Sequence, residues 1–84
     1  MIIKAIIIRP ETLKKIFEKH NVSADEIEAV FKGKPFFKKV GGDQYLVLGP
    51  SINRYVTVYF LYNQQSRVAE ITTAYPSDKG QIRS

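Results

Sequence analysis

The 84-residue sequence contains no cysteine, no tryptophan and only one histidine. Without cysteine, neither a disulfide framework nor a zinc site with thiolate ligands can form. The single histidine, His20, also argues against a zinc or iron site built on imidazole ligands. The composition therefore predicts a protein with no metal and no cofactor, and it is compatible with a reducing compartment.

The sequence also lacks a hydrophobic run that could cross a membrane. Its most apolar segment, the amino-terminal MIIKAIIIRP, is interrupted by Arg9 and Pro10 after about eight residues, whereas a membrane-spanning helix needs roughly 20. The segment has no small-residue cleavage site of a signal peptide, and both of its alternating sets of side chains are largely apolar. We therefore expect a cytoplasmic protein that begins with a strand over residues 2–8, covered on both sides.

Positive charge is what the composition has in excess. Thirteen Lys and Arg residues stand against eight Asp and Glu residues, which gives a net charge of +5. Such an excess favours a polyanionic partner, either a nucleic acid or an acidic protein. With 44% hydrophobic and 12% aromatic residues, the chain is expected to fold as one domain over residues 1–84.

Two short amphipathic helices are predicted after the first strand. Pro10 suits the first turn of a helix, and Asn21 suits a left-handed helix end. Ser23 followed by Glu26 is the capping-box pattern that opens a second helix. The apolar stripe of the first helix consists of Leu13, Ile16, Phe17 and His20.

Four strands complete the predicted fold. The segments RYVTVYFLY and RVAEITTAY, joined by the polar NQQS, form a β-hairpin, and two shorter strands precede it around the turn Gly41-Gly42-Asp43. The order β-α-α-β-β-β-β predicts an α+β fold in which the two helices pack on an antiparallel sheet.

The expected strand register brings Arg54 next to Tyr75. If residues 63–66 form the loop, Tyr62 faces Arg67, and Arg54 faces Tyr75 at the far end of the hairpin. With Leu48 paired to Arg54, one sheet face is apolar. The opposite, polar face carries Tyr45, Tyr55 and Tyr59.

Arg54 and Tyr75 are candidates for a functional site because a guanidinium beside a phenol can hold an anion and move a proton. The structural alternative is that Arg54 only begins a strand and Tyr75 only ends one before Pro76. His20 is a third candidate, because its imidazole can also transfer protons. The sequence shows no serine-type triad, no paired carboxylates and no phosphate-binding glycine motif.

Metal-free RNA cleavage is the chemistry that such residues support. Attack by the 2′-hydroxyl of RNA needs a base, a cation on the scissile phosphate and an acid for the leaving oxygen. Basic side chains can contact phosphates, and exposed tyrosines can stack on unpaired bases. The candidate RNA-binding residues are Arg67, Lys79, Lys38, Lys39, Tyr55 and Tyr59.

The sequence resembles the BrnT family between about residues 13 and 75. That family comprises ribonuclease toxins of toxin–antitoxin pairs with a RelE-like fold. The resemblance implies RNA as the substrate and an acidic or DNA-binding antitoxin as the protein partner. It rests on Lys19-His20-Asn21-Val22-Ser23, Glu26, Val30-Phe31, Gln44-Tyr45-Leu46-Val47-Leu48-Gly49, Arg54, Val58-Tyr59 and Ile71-Thr72-Thr73-Ala74.

The chain departs from the family in its last strand, where Glu70 and Tyr75 occupy positions that typically hold arginine. A strand ending in Thr-Ala-Tyr resembles other RelE-like nucleases, so Tyr75 could act in place of that arginine. The positions of this chain that match functional residues of the family are His20 and Arg54. It implies that Arg54 holds the scissile phosphate while Tyr75 and His20 transfer protons. The alternative is a catalytically inactive RelE-like module that binds a protein partner through its sheet face or an exposed sheet edge.

Overall fold

The structure of the protein is a computed structural model, and it describes residues 2–33, 35–52 and 54–77. The predicted order of elements and the α+β class are confirmed. Lys79, a predicted RNA contact, lies outside the described residues. The elements in chain order are β1 (Ala5–Ile7), α1 (Pro10–His20), α2 (Ala24–Lys32), β2 (Phe36–Gly41), β3 (Gln44–Pro50), β4 (Tyr55–Asn63) and β5 (Val68–Pro76).

The five strands form one sheet in the order β1-β5-β4-β3-β2. The pairs β2–β3, β3–β4 and β4–β5 are antiparallel, whereas β1 pairs with β5 in parallel. Strand β1 is only three residues long, and the face that carries Ala5 and Ile7 is open to solvent, with Ile7 48% exposed. The prediction of a strand over residues 2–8 covered on both sides is therefore wrong.

Local sequence signals fix the ends of both helices. Pro10 occupies the first turn of α1, and Asn21 ends that helix in the left-handed conformation with φ 56° and ψ 38°. The hydroxyl of Ser23 accepts a hydrogen bond of 3.4 Å from the backbone N–H of Glu26 and caps α2. The two helices are therefore joined by a tight junction at residues 21–23. Within the described ranges, no helix is long and apolar enough to span a membrane.

The hydrophobic core lies between the helices and one face of the sheet. Phe60 is fully buried, and its ring packs edge-on to Phe31 and Phe37 at centroid distances of 5.4 and 6.2 Å and stacks with Tyr45 at 5.9 Å. Such aromatic pairs stabilise a core beyond the area that they bury. The buried hydrophobic residues are Ile16, Val22, Ile27, Val30, Val47, Val56, Val58, Phe60, Tyr62, Ala69, Ile71 and Ala74.

The turn of the central hairpin differs from the prediction. Tyr62 pairs with Ala69, not with Arg67, because the loop covers residues 64–67 and Arg67 adopts the left-handed conformation with φ 60°. The side-chain oxygen of Asn63 accepts hydrogen bonds from the backbone N–H groups of Gln65 and Ser66, which fixes the turn. The register is thus shifted by two residues at the turn.

A β-bulge shifts the hairpin by one residue more. Tyr59 pairs with Thr73 while Phe60 pairs with Ile71, so Thr72 is an extra residue in β5. As a result, Tyr75 pairs with Thr57. The predicted pairing of Tyr75 with Arg54 is wrong.

The β3–β4 register also differs from the prediction. Leu48 pairs with Thr57, not with Arg54, because β3 continues to Pro50 before the chain turns. This shift of three residues exchanges the two faces of β3. Tyr45 therefore pairs with Phe60 and packs on the helix side. The prediction that Tyr45 shares the polar face with Tyr59 is wrong.

Candidate functional site

A polar groove with a volume of about 230 Å³ lies between α1 and β5. The part of β5 that lines it follows the segment paired with β1, which ends at Glu70. The groove thus lies at the edge of β5 beyond the end of β1. Two lysines and the single histidine of the sequence are among its lining residues. We call it the α1–β5 groove. Its lining residues are Thr12, Lys15, Ile16, Lys19, His20, Thr72 and Thr73.

Three titratable rings follow one another beside this groove. The ring of His20 lies 6.0 Å from that of Tyr75, and the ring of Tyr75 lies 6.0 Å from that of Tyr59, both measured between centroids. These distances are typical of packed aromatic side chains. The last residue of α1 thus meets the end of β5 and, through it, the middle of β4.

The phenol of Tyr59 keeps its proton across the neutral pH range. Hydrogen bonding with the Tyr75 phenol raises the pKa of Tyr59 above its ordinary value, and burial raises that pKa further. Tyr59 therefore stays neutral beside Tyr75 and is not a base. Two adjoining phenols can supply a proton to a developing oxyanion.

Lys15 and Lys19 bring positive charge to the groove. They stand four residues apart on α1, so they occupy the same side of the helix. Within the described ranges, neither has an ion-pair partner, whereas the neighbouring Lys14 lies 4.0 Å from Glu18. Two like charges at this spacing repel each other, and a bound anion would relieve that repulsion.

Arg54 has partners that differ from those expected. Its Nε donates to Oε2 of Glu26 and its Nη2 donates to Oε1, both at 2.9 Å, while Nη2 also donates to the carbonyl of Asn21 at 2.7 Å. The hydroxyl of Ser51 donates to Oε2 of Glu26 at 3.0 Å. The guanidinium is therefore held by a carboxylate, and its role as a phosphate ligand stays a prediction.

Both charges of this ion pair are stabilised in the folded protein. The hydrogen bond from Arg54 lowers the pKa of Glu26, and the hydrogen bond to Glu26 raises the pKa of Arg54. The side chain of Glu26 is mostly buried, so a bidentate pair of this kind is stronger than an exposed one.

The other predicted RNA-binding residues do not gather around the groove. Lys38 and Lys39 lie on β2, an edge strand that β3 and β4 separate from β5. Arg67 lies in the turn before β5, at the other end of that strand from Tyr75. Tyr55 begins β4. Of the predicted RNA-binding residues that the structure describes, Tyr59 alone is connected to the α1–β5 groove, through its ring contact with Tyr75.

Glu70, one of the two departures from the BrnT pattern, has a structural partner. Its Oε2 lies 3.3 Å from Nε of Arg9, so the ion pair joins the start of α1 to β5. Both side chains are solvent-accessible, and the pair contributes little to stability.

Sequence reasoning missed Lys15, Lys19, Thr72 and Thr73 as lining residues. The two lysines could have been found, because a helical projection places them on one side of the predicted first helix. The two threonines depend on the bulge in β5, which no local sequence signal announces. Within the described ranges, no cluster of three His, Cys, Asp or Glu side chains could hold a metal ion.

Comparison with known proteins identifies the fold. No protein-family model matches the sequence, and no curated protein matches it significantly. The structure is similar to the 1.1 Å crystal structure of the ribonuclease toxin BrnT from Brucella abortus, with a TM-score of 0.70 and 18% sequence identity over 89% of this chain and 97% of that one. The likeness confirms the fold that the resemblance implied.

Proposed function

We propose that this chain is a cytoplasmic ribonuclease toxin that cleaves RNA without a metal and that an acidic or DNA-binding antitoxin protein neutralises it. The observation that carries the proposal is the contact of His20 with Tyr75 beside a lysine-lined groove. A fold similar to that of a ribonuclease toxin supports the same assignment.

The proposed reaction needs one base and one acid. An imidazole exchanges protons near neutral pH, so His20 would take the proton of the 2′-hydroxyl as its oxygen bonds to phosphorus. A phenol keeps its proton at that pH, so Tyr75 would give one to the 5′-oxygen as the bond from phosphorus to that oxygen breaks. The products are a 2′,3′-cyclic phosphate and a 5′-hydroxyl.

Lys15 and Lys19 would bind the phosphates. Their ammonium groups can neutralise the charge that grows on the phosphoryl oxygens in the transition state. The hydroxyls of Thr72 and Thr73 on the facing strand can add hydrogen bonds to the same oxygens. We assign Arg67, Lys38 and Lys39, which lie away from the groove, to contacts with flanking nucleotides.

An assay of RNA cleavage in the presence of EDTA tests the proposed function. The purified protein is incubated with total RNA in a metal-chelating buffer, and the 5′ and 3′ ends of the products are analysed. We expect cleavage to persist at the rate seen without EDTA and to give cyclic phosphate ends. Intact RNA over a range of protein concentrations would contradict the proposal.

The alternative function is binding of a protein partner without catalysis, and the sheet face opposite the helices favours it. That face carries exposed apolar side chains, among them Phe36 at 64%, Leu61 at 43% and Tyr55 at 42%. Exposed apolar patches of this kind mark interaction sites. In that case Leu61→Asp would abolish complex formation, and RNA would stay intact in the cleavage assay.

A further inference from the structure

A network of hydrogen bonds connects the end of α1 with the loop between β3 and β4. Glu26 is its centre, because its two carboxylate oxygens accept hydrogen bonds from Nε and Nη2 of Arg54 and from the hydroxyl of Ser51. The same hydroxyl also contacts the carbonyl of Arg54 at 2.8 Å. The guanidinium is thus fixed in position and direction by a bidentate contact.

This network reaches the residue that follows His20. Nη2 of Arg54 donates to the carbonyl of Asn21, and Asn21 ends α1 in the left-handed conformation. The last carbonyl groups of a helix have no donor within the helix, so a guanidinium there supplies a missing hydrogen bond. Its positive charge is also favourable at the negative end of the helix dipole.

We propose that Arg54, held by Glu26, is a positioning residue that keeps His20 in contact with Tyr75. The functional consequence of this contact rests on the proposed function, whereas the placement of His20 can be measured without it. The role differs from that of a phosphate ligand, since the guanidinium acts on His20 through the backbone of Asn21.

The variant Glu26→Gln separates the two roles of Arg54. The amide is close to the carboxylate in size, but it loses the charge and one of the two acceptor oxygens. If Arg54 positions His20, the end of α1 loosens and His20 moves away from Tyr75. If Arg54 is instead a phosphate ligand, its release from Glu26 leaves His20 in place and tightens RNA binding.

The single histidine gives a direct readout of its own position. The proton resonance of the His20 imidazole is unambiguous in an NMR spectrum, because the chain has one histidine. We expect this resonance to move in Glu26→Gln toward its position in the unfolded chain, as the ring of Tyr75 ceases to shield it. The matched control is Glu28→Gln, which removes the same charge from an exposed position of α2 and should leave the resonance unchanged.

Cleavage kinetics provide the second readout. A catalytic group that is displaced by about 1 Å can lose roughly 100-fold in rate, so we expect kcat to fall 10- to 100-fold in Glu26→Gln with KM nearly constant. A lower KM with unchanged kcat would overturn the proposal, as would an unshifted His20 resonance in a folded variant. Inactive wild-type protein would instead refute the proposed function, and the NMR result would still decide the positioning role.

A milder variant covers the case in which Glu26→Gln does not fold. Arg54→Lys keeps the positive charge beside Glu26, but an ammonium group cannot reproduce the bidentate contact with Glu26 together with the hydrogen bond to the carbonyl of Asn21. Its His20 resonance should shift in the same direction by a smaller amount. A folded Arg54→Lys protein with the wild-type resonance would overturn the proposal.

Discussion

Replacing His20 with glutamine or Tyr75 with phenylalanine is expected to lower kcat for RNA cleavage by a factor of roughly 10² to 10⁴, which is the usual contribution of a general acid or base. Glutamine keeps a hydrogen-bonding side chain but cannot exchange a proton near neutral pH. Phenylalanine keeps the packing against His20 and Tyr59 but has no proton to give. Single-turnover cleavage of a short RNA measures both losses.

The matched control for the phenol is Tyr45→Phe. Tyr45 packs on the helix side of the sheet against Phe60, so its hydroxyl lies in a different environment from the groove. This variant should keep the wild-type kcat. Equal losses in Tyr45→Phe and Tyr75→Phe would mean that the effect of Tyr75 is structural, and unchanged cleavage in Tyr75→Phe would remove it from the reaction.

Replacing Phe60 with alanine is expected to lower the free energy of unfolding by about 3 to 5 kcal/mol. The ring is fully buried and contacts Phe31, Phe37 and Tyr45, so the substitution leaves a cavity that three aromatic neighbours cannot fill without moving. A loss of this size approaches the whole stability of a domain of this length. Urea denaturation followed by circular dichroism measures it.

The neighbouring residue supplies the control for that prediction. Leu61 lies next in β4 but points to the opposite face, where it is partly exposed. Leu61→Ala should therefore cost only about 1 kcal/mol, since 43% of Leu61 stays exposed to water and its removal leaves no enclosed cavity. Similar losses in the two variants would contradict the assignment of the helix side as the core.

The fold could be predicted because its elements begin and end at local signals. Pro10, Asn21 and Ser23 each act on the backbone of the adjacent helix turn. In the structure α1 begins at Pro10 and ends before Asn21, and α2 begins after Ser23. Alternating apolar residues likewise predict strands without reference to distant parts of the chain. The element order followed from these signals alone.

The strand register could not be predicted in the same way. It depends on the left-handed conformation of Arg67 and on the extra residue Thr72, and neither is announced by a glycine or another turn-forming residue at that position. The pattern of β3 is also ambiguous, because Tyr45 and Val47 are as apolar as Leu46 and Leu48 on the opposite face. Either face of β3 could therefore have packed on the helices.

The candidate site was predicted in part. His20 and Tyr75 were both named, but Tyr75 was expected beside Arg54 and instead contacts His20 and Tyr59. Arg54 was expected to be open to a phosphate and instead pairs with Glu26. A carboxylate 28 positions away in sequence cannot be recognised as its partner before the register is known.

The central claim is that RNA binds in the α1–β5 groove, and one NMR titration tests it most directly. An oligonucleotide without 2′-hydroxyls binds but cannot be cleaved, so it can be added stepwise to the ¹⁵N-labelled protein while backbone amide shifts are followed. We expect the largest shifts at Lys15, Lys19, His20 and Thr72–Thr73. Shifts concentrated at Lys38 and Lys39 on β2, or no shifts at low salt, would contradict the account.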